Sequence, residues 1–404
     1  MSNSKKQLWQ SPWGYIESFL IIIVLLLGAI LFELIQQKPA PTISWPINII
    51  FVFFFAGLSI NLHILSKKYK KIAWFSSIPA SIGAIILFVS VSLFMALIPQ
   101  NPQAKSLYFI YNVTQSWAYY IAIFYFLIVL GMVTIKRLYP INHRNIGFAL
   151  NHLGLWITLS TASLGAGDMQ KYTMELHKDK LIWYAYDKNM QAYDMDFSIK
   201  LNNFSIDEYP SKIAFVQART GEFLIENGKK AIIELDTIHP MKFRNLLISV
   251  QKYYKSSSLI NGGYISKIDY GTTQSCYVSV TNTKTHKTIN GWIGSGSVSY
   301  GPTYLILEDS VIIALLQPEA KKFSSDVTIY SNNGKAEKKT LEVNKPIKIN
   351  SWKVYQTSYD ERKGKWSEIS IVEIVKDPWL PFVYVGLFLM ILGALYLIWF
   401  GRKK

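Results

Sequence analysis

The chain alternates long apolar runs with short charged connections, and six of these runs predict membrane-spanning helices. They cover residues 14–34, 46–65, 73–98, 117–135, 145–167 and 379–400. A helix of about 20 apolar residues crosses the roughly 30 Å hydrocarbon core of a bilayer. The first run could be a signal peptide, but it is long, is bounded by Glu17 and Glu33, and no A-x-A pattern follows it. We therefore expect a retained first helix and a polytopic α-helical membrane protein.

A different pattern occupies residues 168–376, where apolar and polar positions alternate over short stretches. Residues 196–201, 230–235, 276–281 and 368–374 show this period of two, and turn signals at 227–228, 261–263 and 332–334 interrupt such runs. Short alternating runs separated by Asn-Gly turns are typical of antiparallel β-structure. The segment has 209 residues, enough for a core of its own. The pattern predicts a large β-rich domain between the fifth and sixth helices.

An internal repeat is a second feature of this segment. Residues 240–251, followed by Tyr253 and Tyr254, resemble residues 346–356, followed by Tyr359, when one residue of slippage is allowed. The similarity indicates either a duplicated β-module or two hairpins that are alike by chance.

Composition and charge support a membrane protein. Half of the residues are apolar and only 17% are charged, whereas globular domains carry about 25% charged residues. The net charge is +16, yet residues 168–376 hold 28 Lys/Arg against 23 Asp/Glu, so +11 of it lies beside the apolar runs. Positive charge in that position is a signal for membrane topology and does not indicate nucleic-acid binding.

The basic residues also predict the orientation of the helices. Alternate connections and the two termini together hold twelve of them, namely Lys5, Lys6, Lys67, Lys68, Lys70, Lys71, Lys136, Arg137, Arg144, Arg402, Lys403 and Lys404. The remaining short connections hold only Lys38 and Lys105. Because Lys and Arg are retained on the cytoplasmic side, we predict cytoplasmic termini and an extracytoplasmic position for residues 168–376.

Enzyme motifs are absent from the sequence. G-x-S-x-G, the P-loop, H-E-x-x-H and C-x-x-C do not occur, so we predict no catalytic residue and no self-contained catalytic site. The single cysteine, Cys276, excludes an intrachain disulfide. Its neighbours Tyr277 and Val278 favour a buried strand thiol, and an exposed, reactive thiol is the alternative.

Of the six histidines, His152 is the candidate site residue. His143, His177, His239 and His286 are predicted at the surface or in turns, and His63 at the cytoplasmic end of the second helix. His152 is the eighth residue of the predicted fifth helix, about 10 Å along its axis. An imidazole at that depth requires a partner, a cavity or a ligand. It either forms a helix–helix hydrogen bond or serves as an axial ligand to haem iron, in which case any second histidine ligand comes from another chain.

From about Ile82 onward the chain resembles the ResB (CcsB) family of the second cytochrome c maturation pathway. The resemblance rests on the order and spacing of several segments, since none of them is sufficient alone. These are Ala96-Leu-Ile-Pro-Gln100, residues 107–112 with Trp117, residues 151–157 with 164–167, residues 197–206, and residues 343–347, 354–360 and 377–381. The additional helices in residues 1–72 depart from the four helices of the family.

The resemblance implies a haem-handling assembly factor in the bacterial inner membrane. Such a protein would act with a CcsA-type partner to carry haem b across the membrane and keep it reduced for attachment to apocytochrome c. His152 matches the haem-ligating histidine of the family's third helix. No W-G-x-x-W-x-W-D motif occurs, so we expect the CcsA half to be a separate chain. The resemblance thus implies contacts of this chain with a CcsA-type membrane protein, with apocytochrome c and with the lipid bilayer.

These expectations divide the chain into four parts: a two-helix extension (1–72), ResB-like helices (73–167), the β-rich domain (168–376), and a last helix with a basic tail (377–404). Two other functions remain open on the sequence. A b-type electron-transfer protein would need paired histidines on facing helices, and a membrane-anchored binding or sensor module would leave His152 without a role.

Overall fold

A computed structural model describes residues 7–101, 103–139, 142–307, 310–331 and 334–400. Five of the basic residues used above to predict the orientation, at positions 5, 6, 402, 403 and 404, lie outside the described residues, as do residues 332 and 333 of one predicted turn. The chain forms two compact units that divide between Gln170 and Lys171 and between Lys376 and Asp377. We refer to them as the membrane unit and the outer unit.

The membrane unit contains a helix at each of the six predicted runs. The long helices are α1 (Tyr15–Gln36), α2 (Ile47–Ser66), α4 (Ile78–Leu97), α6 (Trp117–Leu138), α7 (His143–Gly165) and α8 (Leu380–Phe400); α3 (Lys70–Ala73) and α5 (Tyr108–Tyr111) are short. Within the described residues, five helices are long and apolar enough to cross a membrane, and α7 is the long helix outside that set. The apolar helices are thus confirmed, whereas a count of six membrane crossings is not.

The third predicted run begins later than expected. Residues 70–76 form α3 and a 3₁₀ turn, and α4 starts only at Ile78. The Ser77 hydroxyl accepts a hydrogen bond from the Ala80 amide, and Pro79 lies in the first turn. Ser at the N-cap with Pro at the next positions is a strong helix-start signal, which hydropathy alone does not detect.

The helix α6 is central in the membrane unit, and the two N-terminal helices pack on it and on α4. The Phe55 ring of α2 lies 4.7 Å from Phe124 of α6 between ring centroids. The Ser18 hydroxyl of α1 donates to the Pro79 carbonyl at 2.7 Å. The additional helices of residues 1–72 therefore belong to the same packed bundle as the helices of residues 73–167.

Glycines bring α7 and α8 into backbone contact. Gly147 and Gly154 on α7 face Gly386 and Gly393 on α8, and both pairs have a spacing of seven residues. A Cβ on Gly154 would lie 2.6 Å from the Gly386 carbonyl oxygen, and one on Gly393 2.6 Å from the Asn151 nitrogen. Small residues at such spacing allow close helix packing in membranes.

The outer unit is built of antiparallel strands, as predicted. They are β1 Gln170–His177, β2 Leu181–Tyr186, β3 Ala192–Glu208, β4 Lys212–Gln217, β5 Ile225–Glu226, β6 Lys229–Lys230, β7 Ile232–Glu234, β8 Met241–Phe243, β9 Leu246–Ile260, β10 Gly263–Ser266, β11 Thr273–Asn282, β12 Thr288–Gly294, β13 Tyr304–Ile306, β14 Val311–Leu315, β15 Ala320–Ser331, β16 Ala336–Glu342, β17 Ile347–Ile349, β18 Trp352–Tyr359 and β19 Ile369–Lys376. One sheet has the order β16-β15-β3-β2-β1-β19-β18-β17. A second has the order β10-β9-β11-β12 with β8 beside β9, and a third β13-β14-β4-β7.

The outer unit has two separate apolar cores. Alternate residues of β3, Phe197, Ile199 and Leu201, are buried in the first core. The second core includes Phe215, whose ring stacks on Phe243 at 3.7 Å. The period of two read from the sequence thus corresponds to one buried face of each strand.

The predicted internal repeat corresponds to two hairpins of the same geometry. Met241 pairs with Ile248 in β8–β9, and Ile347 pairs with Val354 in β17–β18. The longer strand of each hairpin also has a register shift against its other neighbour. In β9 the shift lies between Val250 and Lys252, opposite β11, and in β18 it lies between Gln356 and Ser358, opposite β19. The two irregularities fall at equivalent positions without slippage, so the one-residue slip assumed from the sequence is wrong. A shared bulge strengthens the case for a duplicated module.

Candidate functional site

His152 lies in α7, nine residues after its first residue, or roughly 13 Å along the axis. Its Nδ1 is 3.0 Å from the Phe148 carbonyl oxygen, and its ring stacks on that of Phe148 at 3.6 Å. A carbonyl oxygen only accepts hydrogen bonds, so Nδ1 carries the proton and Nε2 keeps its lone pair. Such a bond defines the tautomer of a metal-binding histidine.

The remaining ring nitrogen is free for a ligand. In the part of the chain that the structure describes, no hydrogen bond reaches Nε2, and the imidazole is half-buried. The described hydrogen bond of the ring lies within α7, so the described residues do not support the helix–helix hydrogen bond considered above. A neutral imidazole with an available Nε2 is suited to bind a metal or haem iron.

Packing against α6 defines the orientation of this face of α7. Trp156, one turn beyond His152, donates its indole Nε1–H to the Leu127 carbonyl at 3.1 Å. Gly131 of α6 lies at this contact, because a Cβ on it would lie 3.4 Å from Trp156 Nε1 and would clash with the Ser59 hydroxyl of α2. Towards the end of α6, the Arg137 guanidinium carbon lies 4.2 Å from the centroid of the Phe148 ring. Arg137, Phe148 and His152 therefore form one stack.

The other histidines do not join His152. His63 lies in the last turn of α2, as expected, and its buried Nδ1 has no hydrogen-bond partner among the described residues. His177 and His239 lie near Glu175 and Asp236, respectively. His286 is an exposed turn residue with φ 56°, and the side chain of His143 lies outside the described part. No group of three or more His, Cys, Asp or Glu side chains that could hold a metal ion occurs in the described part.

Glu33 is a buried carboxylate that the sequence reading treated only as a helix boundary. Its side chain is 2% exposed and accepts hydrogen bonds from the backbone amides of Phe109 and Trp117 at 2.7 and 3.1 Å. It thus joins α1 to α5 and to the start of α6. The signal in the sequence was a lone acid at the end of an apolar run, where a buried charge needs partners.

Asp168, just after α7, was also missed. Its carboxylate accepts hydrogen bonds from the Trp45 amide, the Asn48 side chain and the Trp379 indole, at 2.7, 2.7 and 2.6 Å. Burial opposes ionisation, yet the three donors outweigh it and hold the pKa of Asp168 below its usual value. The carboxylate joins the start of α2 to the residues that precede α8.

Cys276 is a buried strand thiol, as predicted. It is fully buried in β11 between Tyr253 of β9 and Ile293 of β12. Burial raises the pKa of the thiol to about 12. Because the thiolate is the reactive form, the alternative of a reactive cysteine is wrong for this fold.

The outer unit contains a cleft of about 450 Å³ with a polar floor. Glu208, with a side chain only 8% exposed, lies there 3.6 Å from the Lys365 ammonium and 3.4 Å from the Gln274 amide. Aromatic rings of Tyr270, Tyr359 and Trp366 line the walls. A neighbouring cavity of about 730 Å³ shares Glu208, Lys365 and Trp366, so the two form one elongated cleft.

Comparison with known proteins points to one family. No curated protein matches the chain. Residues 273–372 match the model of the ResB-like family, a segment that includes Cys276 and much of the lining of the cleft. For that segment of the outer unit, this match confirms the resemblance to the ResB family predicted from the sequence.

Proposed function

We propose that this protein is a cytochrome c maturation factor that acts with a CcsA-type partner to carry haem across the bacterial inner membrane. The ResB-like match supports a role related to cytochrome c biogenesis. The observation that carries the finer proposal is His152, whose Nδ1 is bonded to the Phe148 carbonyl while Nε2 remains available.

The proposal includes six membrane crossings. α7 is less apolar than the other long helices, but it packs against α8 through glycines and against α6 through Trp156. A helix packed between others needs fewer lipid-facing apolar residues. With α7 included, the basic residues give cytoplasmic termini. A reporter that is active only outside the cytoplasm should be active when it is fused near Asn227 and silent when it is fused after Lys404. The reverse result would contradict this orientation.

The residues present fit haem b as a ligand. Haem, when bound, supplies the iron and the vinyl groups at which an apocytochrome becomes attached. The role of this chain is to present His152 Nε2 to the iron, with Phe148 holding the tautomer and the ring orientation. His63 has no described contact with His152, so a second histidine that held the iron would come from the CcsA-type partner.

The outer unit would receive the apocytochrome in its elongated cleft. Aromatic walls provide contact area for an extended chain, and Glu208, Gln274 and Lys365 provide polar partners on the floor. Interfaces enriched in Tyr and Trp with a few placed polar groups are typical of protein recognition.

A spectrum of the purified protein tests the haem proposal. Full-length protein should show a haem absorption band when isolated with a second membrane protein, and a weaker band when that protein is removed. A strong band from this chain alone would indicate a b-type cytochrome with both ligands. Absence of haem under both conditions would contradict the haem proposal and favour a membrane-anchored binding or sensor module.

A further inference from the structure

The stack beside His152 ends in the guanidinium of Arg137. The Arg137 guanidinium lies over the Phe148 ring at 4.2 Å, and that ring stacks on His152 at 3.6 Å. Arg137 is exposed, and no carboxylate within the described residues forms an ion pair with it. A guanidinium held in place by an aromatic ring offers a planar set of donors.

We propose that Arg137 binds a propionate carboxylate of the haem whose iron is bound by His152. This inference rests on the proposed haem function and adds a binding residue to it. The propionates are the charged substituents of haem, and Arg pairs with carboxylates through two parallel hydrogen bonds. Since Arg137 is the next-to-last residue of α6, a haem held by Arg137 and His152 would have its propionates toward that end of the helix.

The adjacent Lys136 has a different position and provides a matched control. Its ammonium donates to the Ser76 carbonyl at 3.2 Å, so it is engaged with the turn before α4. A lipid phosphate offers Arg137 similar anionic oxygens and is the competing ligand. Haem dimethyl ester separates the two cases, because it keeps the iron and the ring but has no carboxylates.

The test is a titration of full-length protein, purified in mild detergent with its co-purifying membrane partners, with haem and with haem dimethyl ester. Wild type should bind haem about 10- to 100-fold more tightly than the ester, as expected for charge-assisted hydrogen bonds. Arg137→Gln should lose this preference by weakening haem binding alone, and Lys136→Gln should keep it. Arg137→Lys should retain part of it, since Lys lacks the two-point contact.

Two kinds of failure are distinguishable. If Arg137→Gln keeps the preference of wild type, Arg137 does not bind a propionate and the inference is overturned while haem binding stands. If wild type binds neither compound, or if His152→Ala binds both as wild type does, the proposed function fails and this inference with it. Monodisperse elution of each variant verifies that it is folded.

Discussion

Asp168 shows how one residue can join segments that are far apart in the sequence. Its three donors come from Trp45, Asn48 and Trp379. The sequence predicted the ends of the helices near all four residues, but it did not indicate that one carboxylate would join them. Such convergence depends on the packing of α2, α7 and α8, which no local pattern encodes.

Replacing Asp168 should lower stability in a pH-dependent way. When the folded-state pKa of a carboxyl group lies below its ordinary value, the group stabilises the protein at any pH above that ordinary value. This stability is lost as the pH falls through the folded-state pKa. Asp168→Asn should therefore cost on the order of 1 kcal/mol at pH 7 and should reduce the loss of stability on acidification.

Thermal unfolding of the full-length protein in detergent, at pH 7 and at about pH 3, measures both effects. Asp194→Asn, at an exposed position of β3, is the control and should unfold like wild type. Equal acid sensitivity of wild type and Asp168→Asn would show that the three hydrogen bonds do not stabilise the charged form.

His152 shows both what could and what could not be predicted at a single residue. Its place in an apolar helix singled it out, and the family resemblance gave it a role. The hydrogen bond to Phe148, one turn earlier, depends on a side-chain rotamer. The contact of Arg137 with Phe148 depends on how α6 and α7 pack, so the sequence alone did not indicate it.

At the scale of elements, the helices were predictable from hydropathy and the contacts between them were not. The glycines of α7 and α8 were present in both predicted runs, but their matching spacing was not recognised as an interface. Hydropathy distinguishes the five strongly apolar helices from α7, whose Thr158 and Ser160 side chains bond to carbonyls of the same helix.

Adding a methyl group at the α7–α8 contact should destabilise the membrane unit. In Gly154→Ala the new Cβ would meet the Gly386 carbonyl oxygen at 2.6 Å, so the helices must separate, at a cost of roughly 1–3 kcal/mol. Gly57→Ala in α2 is the matched control, because no atom lies within 4 Å of its Cβ. If both variants melt at the temperature of wild type, the two helices are not in backbone contact.

At the scale of the whole molecule, an outer unit inserted between two helices followed from the sequence. The order of its strands did not. β1 and β19 are neighbours in the first sheet although about 200 residues separate them, and pairing at that distance leaves no local pattern. Lys171 and Glu373 on these strands form an ion pair at 2.6 Å, so the two ends of the unit lie close together.

Adjacent ends predict that the outer unit folds alone. Residues 171–376 expressed without the helices should give a circular dichroism spectrum dominated by strands and a cooperative thermal transition, because both apolar cores lie within the unit. A helical or random-coil spectrum would show that the unit depends on the rest of the chain.

If His152 binds haem iron for cytochrome c maturation, the yield of c-type cytochromes depends on its imidazole, and this yield is measured in cells carrying His152→Ala. Removing the imidazole opens a coordination position, so the yield should fall while the protein still inserts. Free imidazole in the medium should restore part of it. His63→Ala, whose histidine is not assigned to iron, is the control and should not respond to imidazole. Normal yield with His152→Ala would contradict the account, and a reduced yield that imidazole leaves unchanged would contradict the ligand role.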